Sequence, residues 1–452
     1  MKKIAIILCL IFVLTTAIIA QHKRMLSFPE PPRAKGQINA LQLTAPPIDT
    51  VRMAFIGLGQ RGCESLGRYM SIEGIKIVAL CDLSQERIDS CQEVLQINNR
   101  PPAAEYTGAD GWKKVCERND IDLVYVCTHW QLHTPIAVYA MEQGKHVAME
   151  VPAALTLEEC WKLVDTAEKT RRHCMMLENC CYDFFEMATL NMAQQGVFGE
   201  VVHTEAAYIH DLRWLLFDEE KGYWDMWRLN YNAKHTGNPY PTHGLGPVAQ
   251  ILNIHRGDKM NSLVSVSTNQ FGLTEYAKDK FGADSKYAKM SYKLGDMNTT
   301  VIRTEKGKTI MLQHDVTSPR PYSRIHKVSG TKGYAEKYPE KNIALEPNPH
   351  KFLRREQVDS VLKVYEHPFS KEIGELARKV GGHGGMDFIM DYRLIYCLRN
   401  GLPLDQDVYD AAEWSSIGYL SEQSVLNGSV PVKIPDFTRG AWNQLNGLNF
   451  AK

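Results

Sequence analysis

The apolar positions of the chain fall into two textures. From "VRMAFIGLG" onward, short apolar runs alternate with segments of helical pattern. VRMAFI runs into the glycines Gly57, Gly59 and Gly62, the helical CESLGRYMSIEG follows, and IKIVALCD is a second strand ending at Asp82. The helix SQERIDSCQEVLQI, the strand DLVYVCT, the helix HTPIAVYAMEQG and the strand KHVAMEV continue the alternation. Strands that alternate with helices imply right-handed crossovers and a parallel sheet, so a doubly wound Rossmann domain is predicted over 49–172. Thr156 and Glu159 then form a T-x-x-E capping box in front of CWKLVDTAEKT.

From about residue 200 strand-like runs (EVVHTEAAYIHD, SLVSVSTNQ, NTTVIRTEKGKTIMLQHDV, RIHKVSGTKGYAE) follow with few helices between them. Helices return in MDFIMDYRLIYCLRNG and VYDAAEWSSIGYLSEQSVLNG. The expected fold class is therefore α/β plus α+β. An N-terminal Rossmann doubly wound parallel sheet precedes a C-terminal substrate-binding domain, 173–452, built on a mostly antiparallel sheet.

The N-terminus carries a different signal. "MKK" followed by the 17-residue run IAIILCLIFVLTTAIIA reads as a signal peptide over 1–20, with an uncleaved membrane anchor as the competing reading. Cleavage predicts an exported, periplasmic protein with no membrane attachment. Residues 21–48, with FPEPPRAKG and TAPPID, read as a linker.

Composition narrows the partners. At 452 residues, with 44% hydrophobic and 23% charged residues, two or three packed domains are expected. Lys+Arg and Asp+Glu both number 52, which gives no electrostatic case for nucleic acid; a small neutral ligand fits better. The ten cysteines after the leader lie in apolar runs without C-x-x-C or Cys/His spacing, so they read as small buried hydrophobes and no metal is expected.

Two motifs carry chemistry. GLGQRG is G-x-G-x-x-G between a strand and a helix, and Asp82 ends the next strand at the distance a ribose ligand requires. Gly57 permits the tight turn, Gly59 lets the backbone approach a pyrophosphate, and Gly62 allows helix–strand packing. Asp82 would repel a 2′-phosphate, so NAD is expected rather than NADP, with Arg61 placed to neutralise pyrophosphate or remain solvated. The second motif, HTGNPYPTHGLGP over 235–247, can hardly be a strand, and its first half cannot be a helix interior. It holds Tyr240, Pro241, Thr242 and His243 in a rigid loop.

At these residues resemblances become usable. CTHWQLHTPIA and GKHVAMEVP resemble the glucose–fructose oxidoreductase/inositol dehydrogenase superfamily, except that Val151 stands where its members usually carry a lysine that assists hydride transfer. ECWKLVDTAEKT, LENCCYD, TGNPYPTHGLGPVAQ and GGHGGMDF resemble glycoside hydrolase family 109, the NAD-dependent α-N-acetylgalactosaminidases, over about 50–450. The resemblance implies that Gln60, Arg61, Asp82, Trp130, Gln131, Leu132, His133, Glu150, Val151 and Asn179 line NAD. It implies that Tyr208, Arg228, Tyr240, Pro241, Thr242, His243 and Tyr322 line a terminal N-acetylgalactosamine of a glycan or glycoside. The implied reaction oxidises the sugar at C3, eliminates the leaving group across C1–C2, adds water and re-reduces C3.

No motif marks the carboxylate pair of an ordinary glycosidase, and an exported protein has no obvious partner to reoxidise NADH; a redox-neutral cycle with retained NAD removes both difficulties. Within it His243 is the candidate base, with a structural histidine or a hydrogen-bonding contact as alternatives. Tyr240 and Glu150 are the other catalytic candidates. His133 opens a helix rather than serving as acid or base, and His383 fits a substrate contact or a structural turn. Two rival functions stand beside this one: an NAD-dependent oxidoreductase releasing a keto-sugar, and a non-catalytic NAD-containing sugar-binding protein. A homodimer through an exposed sheet face is expected.

Overall fold

The computed structural model describes residues 25–451, so the expected signal peptide lies outside the described residues. Among them no helix is long and apolar enough to cross a membrane. Strands β1 (Val51–Ile56), β2 (Ile75–Cys81), β3 (Ala104–Tyr106), β4 (Leu123–Val126), β5 (His146–Met149) and β6 (Cys174–Met176) form one parallel sheet in the order 3-2-1-4-5-6. β4 and β5 are buried at every position, as parallel strands must be when helices cover both faces. The order reverses between β1 and β4, and there the sheet opens the crevice in which doubly wound folds bind ligands.

The second sheet has eight strands: β7 (Val201–Ile209), β8 (Met260–Ser267), β9 (Asn298–Thr304), β10 (Thr309–Asp315), β11 (Lys327–Gly330), β12 (Gly333–Glu336), β13 (Asn342–Leu345) and β14 (Val432–Lys433). Their order is 13-12-11-7-10-9-8-14, and every junction is antiparallel except β7–β10. One face packs into the core. The other leaves Val202, Val266 and Val301 about half exposed, at 46%, 55% and 46%.

Two expected boundaries shift. The first sheet runs past residue 172, because β6 pairs with β5; at three residues β6 is too short to show a pattern. The C-terminal helices Met386–Asn400 and Val408–Leu426 also return to that sheet. The first packs on the helix Gln60–Tyr69 and on β1, the second on β6 and the helix Leu157–Thr170. The same Val408–Leu426 helix touches β8, so one apolar core runs through both sheets. The capping box forms as expected: Glu159 N donates to Thr156 Oγ1 at 3.2 Å and Thr156 N to Glu159 Oε2 at 3.1 Å.

The described part of the expected linker has almost no regular structure, yet it is strapped down. Leu26 exchanges backbone hydrogen bonds with Pro431 and Lys433, both at 2.8 Å, and Ala40 and Leu43 are buried. Arg33 forks onto the buried Glu168 at 3.0 and 2.9 Å. Glu168 also accepts from Arg439 at 2.8 Å and from the Tyr409 hydroxyl at 2.6 Å. Four donors around one water-excluded carboxylate make it costly to remove. Glu168→Ala, which leaves the arginines without their partner, is expected to lower stability by about 3–5 kcal/mol, read as a shift in the urea midpoint.

Candidate active site

β1 delivers the chain to Gly57, whose φ is +91°; a Cβ there would stand 2.4 Å from the carbonyl oxygen of Cys127, just past β4. A Cβ on Gly62 would stand 2.1 Å from Gly57 O, so the turn closes on itself only without side chains. Gly59 caps the helix Gln60–Tyr69, and a Cβ there would meet nothing nearer than Arg87 Nη1 at 4.0 Å. Its open side leaves the helix N-terminus free to receive an anion. Asp82, at the end of β2, accepts from the backbone N–H of Leu58 at 2.7 Å and of Ser84 at 2.9 Å. One carboxylate thus shapes the glycine turn and stands where a ribose would lie.

Arg61, on the first turn of that helix, donates from Nε to Glu150 Oε1 at 2.8 Å and from Nη1 to Asp387 Oδ2 at 2.6 Å. Glu150 Oε1 also accepts from the Tyr125 hydroxyl at 3.1 Å. Asp387 is fully buried and takes Asn179 Nδ2 at 2.5 Å and His383 Nδ1 at 2.9 Å, with Arg68 Nη1 3.6 Å away. Burial pushes its carboxyl up, but the His383 hydrogen bond and the charges of Arg61 and Arg68 outweigh burial and hold it well below the usual range. His383 sits with φ +45° among glycines 381, 382, 384 and 385, all at positive φ, and its side chain is 60% exposed.

On the facing side Pro241 caps the helix Thr242–Ile251, so Tyr240 lies in an irregular segment, while Thr242 and His243 are helical rather than part of a loop. The glycines explain the difference. A Cβ on Gly244 would stand 2.5 Å from Ala207 N of β7, and one on Gly246 2.8 Å from Glu178 Cγ. They let the helix seat against the sheet and against Glu178 instead of serving a turn. His243 Nδ1 lies 2.7 and 3.0 Å from the two oxygens of Glu178. That glutamate is fully buried, which pushes its carboxyl up; the charge and hydrogen bond of His243 more than offset burial and hold it below its ordinary value.

Aromatic rings complete the pocket. The His243 ring meets Tyr240 at 4.9 Å and Tyr208 at 5.3 Å, and Trp130 lies nearly parallel to Tyr240 at 5.6 Å. Arg228 spreads its guanidinium over Tyr240, Trp130 and Tyr223 and gives Nη1 to the Tyr223 hydroxyl at 2.7 Å. Its Nη2 is buried without a protein partner among the described residues, a donor awaiting an acceptor. Tyr322 stands at the rim, 39% exposed, with Arg324 donating to its hydroxyl at 3.2 Å. His210 lies beside both tyrosines, its Nδ1 3.2 Å from the Tyr208 hydroxyl. Burial first, then the charge of Arg228, hold its pKa below the usual value.

Residues 51–178 match the oxidoreductase family with an NAD-binding Rossmann fold, and residues 182–444 match the C-terminal domain of glycosyl hydrolase 109. An α-N-acetylgalactosaminidase of Bacteroides fragilis is 61% identical over 414 residues, 91% of this chain and 97% of that protein. The chain belongs to glycosyl hydrolase family 109. A family 109 protein of Porphyromonas gingivalis is 52% identical over 436 residues, covering 93% of this chain and 92% of its own. Levoglucosan dehydrogenase in complex with NADH and levoglucosan shares the fold at TM-score 0.64 and 16% identity, over 86% of this chain and all of that one.

This family 109 chain is therefore a glycoside hydrolase that uses NAD, and the cradle fits that cofactor: two glycines no side chain can replace, an open helix N-terminus and a fixed acid beyond β2. Arg61 bonds Glu150 and, through Asp387, is linked to Asn179; Val151 is buried, and Gln131 and Leu132 lie in the 3-10 turn Trp130–Leu132 after β4, where Gln131 Oε1 meets His129 Nδ1 at 2.9 Å. Gln60, at the helix start, is exposed and bonds Glu64. His133 differs from the expectation. Its ring nitrogens face the carbonyls of Pro152 at 2.8 Å and Thr128 at 3.0 Å, so it braces two loops and has no nitrogen left for a ligand. Trp130, expected along NAD, is 5% exposed and packs with Tyr240, Trp227 and Tyr231.

Sequence reasoning missed Glu178, His210, Tyr223 and Asp387. Two of them lie inside quoted motifs, LENCCYD and GGHGGMDF, but their partners are far along the chain and no local spacing marks them. Gly57→Ala is expected to weaken NADH binding at least about tenfold, since strain and a 2.4 Å contact must both be relieved, with the far-ultraviolet spectrum unchanged. Fluorescence titration of the bound nicotinamide measures it.

Proposed function

We propose that this enzyme removes terminal α-linked N-acetylgalactosamine from glycans or glycosides by transient oxidation at C3, elimination across C1–C2, water addition and re-reduction. One observation carries the reading. Each carboxylate of the crevice is already engaged: Glu150 with Arg61, Glu178 with His243, Asp387 with Arg61 and His383. Among the described residues these three carboxylates are all paired, which argues against direct displacement between two free carboxyl groups. Imidazoles beside a dinucleotide cradle suit proton removal next to a carbonyl instead. The substrate itself is taken from the α-N-acetylgalactosaminidase relative at 61% identity.

NAD, when bound, supplies the hydride acceptance at C3 and its return. The chain's own groups do the rest. His243 Nε2, turned from Glu178, removes the proton from the C3 hydroxyl or from C2. Burial raises the phenols of Tyr208 and Tyr240 well above their usual value, so they stay neutral and give hydrogen bonds to sugar oxygens. Arg228 Nη2 takes an acetamide carbonyl or a hydroxyl. His383, exposed and tied through Nδ1 to Asp387, leaves its Nε2 open and is the candidate to hand the leaving-group oxygen a proton. The expected leader supports an exported, periplasmic enzyme, and the half-exposed valines of the second sheet support a homodimer through that face.

The test is turnover of p-nitrophenyl α-N-acetylgalactosaminide in D₂O by NAD-loaded protein. Product carrying deuterium at C2, with no build-up of NADH, is expected; accumulating NADH with a keto-sugar would make the protein an oxidoreductase. His243→Ala is expected to lower kcat by about 10²–10⁴-fold in the same assay.

A further inference from the structure

We propose that Glu178 positions His243 and balances its charge, an assignment that rests on reading His243 as the base. Glu178 stands two residues beyond β6, where its own carbonyl is held by Gln406 Nε2 at 3.0 Å. Its carboxylate is wholly buried, straddles His243 Nδ1 with both oxygens and also accepts from Cys180 N at 3.0 Å. The Gly246 helix turn lies close against its Cγ, so the glutamate has no room to swing away.

Three consequences follow from the geometry. The ionised carboxylate fixes the proton on Nδ1, so the lone pair of the neutral ring is on Nε2, toward the aromatic pocket. It prevents the ring from flipping. When Nε2 takes a proton from the sugar, the resulting imidazolium stands beside a fully buried negative charge, where the attraction is stronger than in water. The other groups facing the pair are Tyr208 of β7, His210 just beyond that strand, Tyr240, and the thiols of Cys180 and Cys181. Burial raises the phenols and thiols, which stay neutral, while burial and Arg228 lower His210.

Glu178→Gln, Glu178→Asp, His243→Ala and the Glu178→Gln/His243→Ala double variant are compared on p-nitrophenyl α-N-acetylgalactosaminide with NAD-loaded protein. Glu178→Gln keeps the shape and an acceptor but loses the charge. It is expected to lower kcat at least about 100-fold with little change in KM or in retained NAD. The acid limb of its kcat–pH profile should move to lower pH, because an imidazole without its carboxylate gives up a proton more easily. Glu178→Asp should return the limb toward the wild-type position, and it supplies the same pH test if the glutamine variant does not fold. The double variant should be no slower than His243→Ala, since Glu178 acts through that ring. Wild-type kcat with an unmoved limb in Glu178→Gln, or a double variant slower than His243→Ala, overturns the assignment while the base reading stands. Full activity in His243→Ala overturns the base reading, and the assignment with it.

Discussion

A carboxylate removed from water has to be met by donors, and Asp387 meets Arg61, His383 and Asn179 in direct contact, with Arg68 close by. Those partners come from the glycine-turn helix, the segment after β6 and the start of the Met386–Asn400 helix, which is the order of the chain from one end to the other. Satisfying one buried charge therefore fixes where the C-terminal helix lies on the nucleotide sheet. It also sets the angle at which Arg61 looks into the cradle and the place of the glycine-flanked His383. If that acid were not satisfied, the sugar side and the cofactor side would have no common reference.

Glu178 repeats the arrangement at the other wall. Each buried carboxylate holds an imidazole by Nδ1, one on a helix seated against the sheet and one on an exposed glycine-flanked arm. The two rings differ in exposure: the His243 side chain is 15% exposed and that of His383 60%.

Much of the architecture was legible because it is local. Strand, glycine turn and helix lie within about twenty residues of Gly57, and Asp82 closes the unit at the end of the following strand. Pro239, Pro241 and the glycines around His243 marked that segment as special, yet suggested a loop, because Gly and Pro carry the same letters whether they break a helix or let it pack closely. Gly244 and Gly246 do the second. The carboxylates were not legible in this way: Glu178 meets His243 65 residues on, and Asp387 meets Arg61 326 residues back. A spacing rule has nothing to grip at such separations. The proline-rich strap misled for a related reason, since its anchors, Glu168 and Tyr409, belong to helices far along the chain.

The helix Val408–Leu426 lies against both sheets. Cut between the two regions, near residue 178, the nucleotide half would lose the cover over β6 and the tyrosine that steadies Glu168. The halves are therefore not interchangeable cassettes. A recombination event that brought in a foreign nucleotide domain would strip this core, so the two sheets have to be inherited and changed together rather than shuffled as modules.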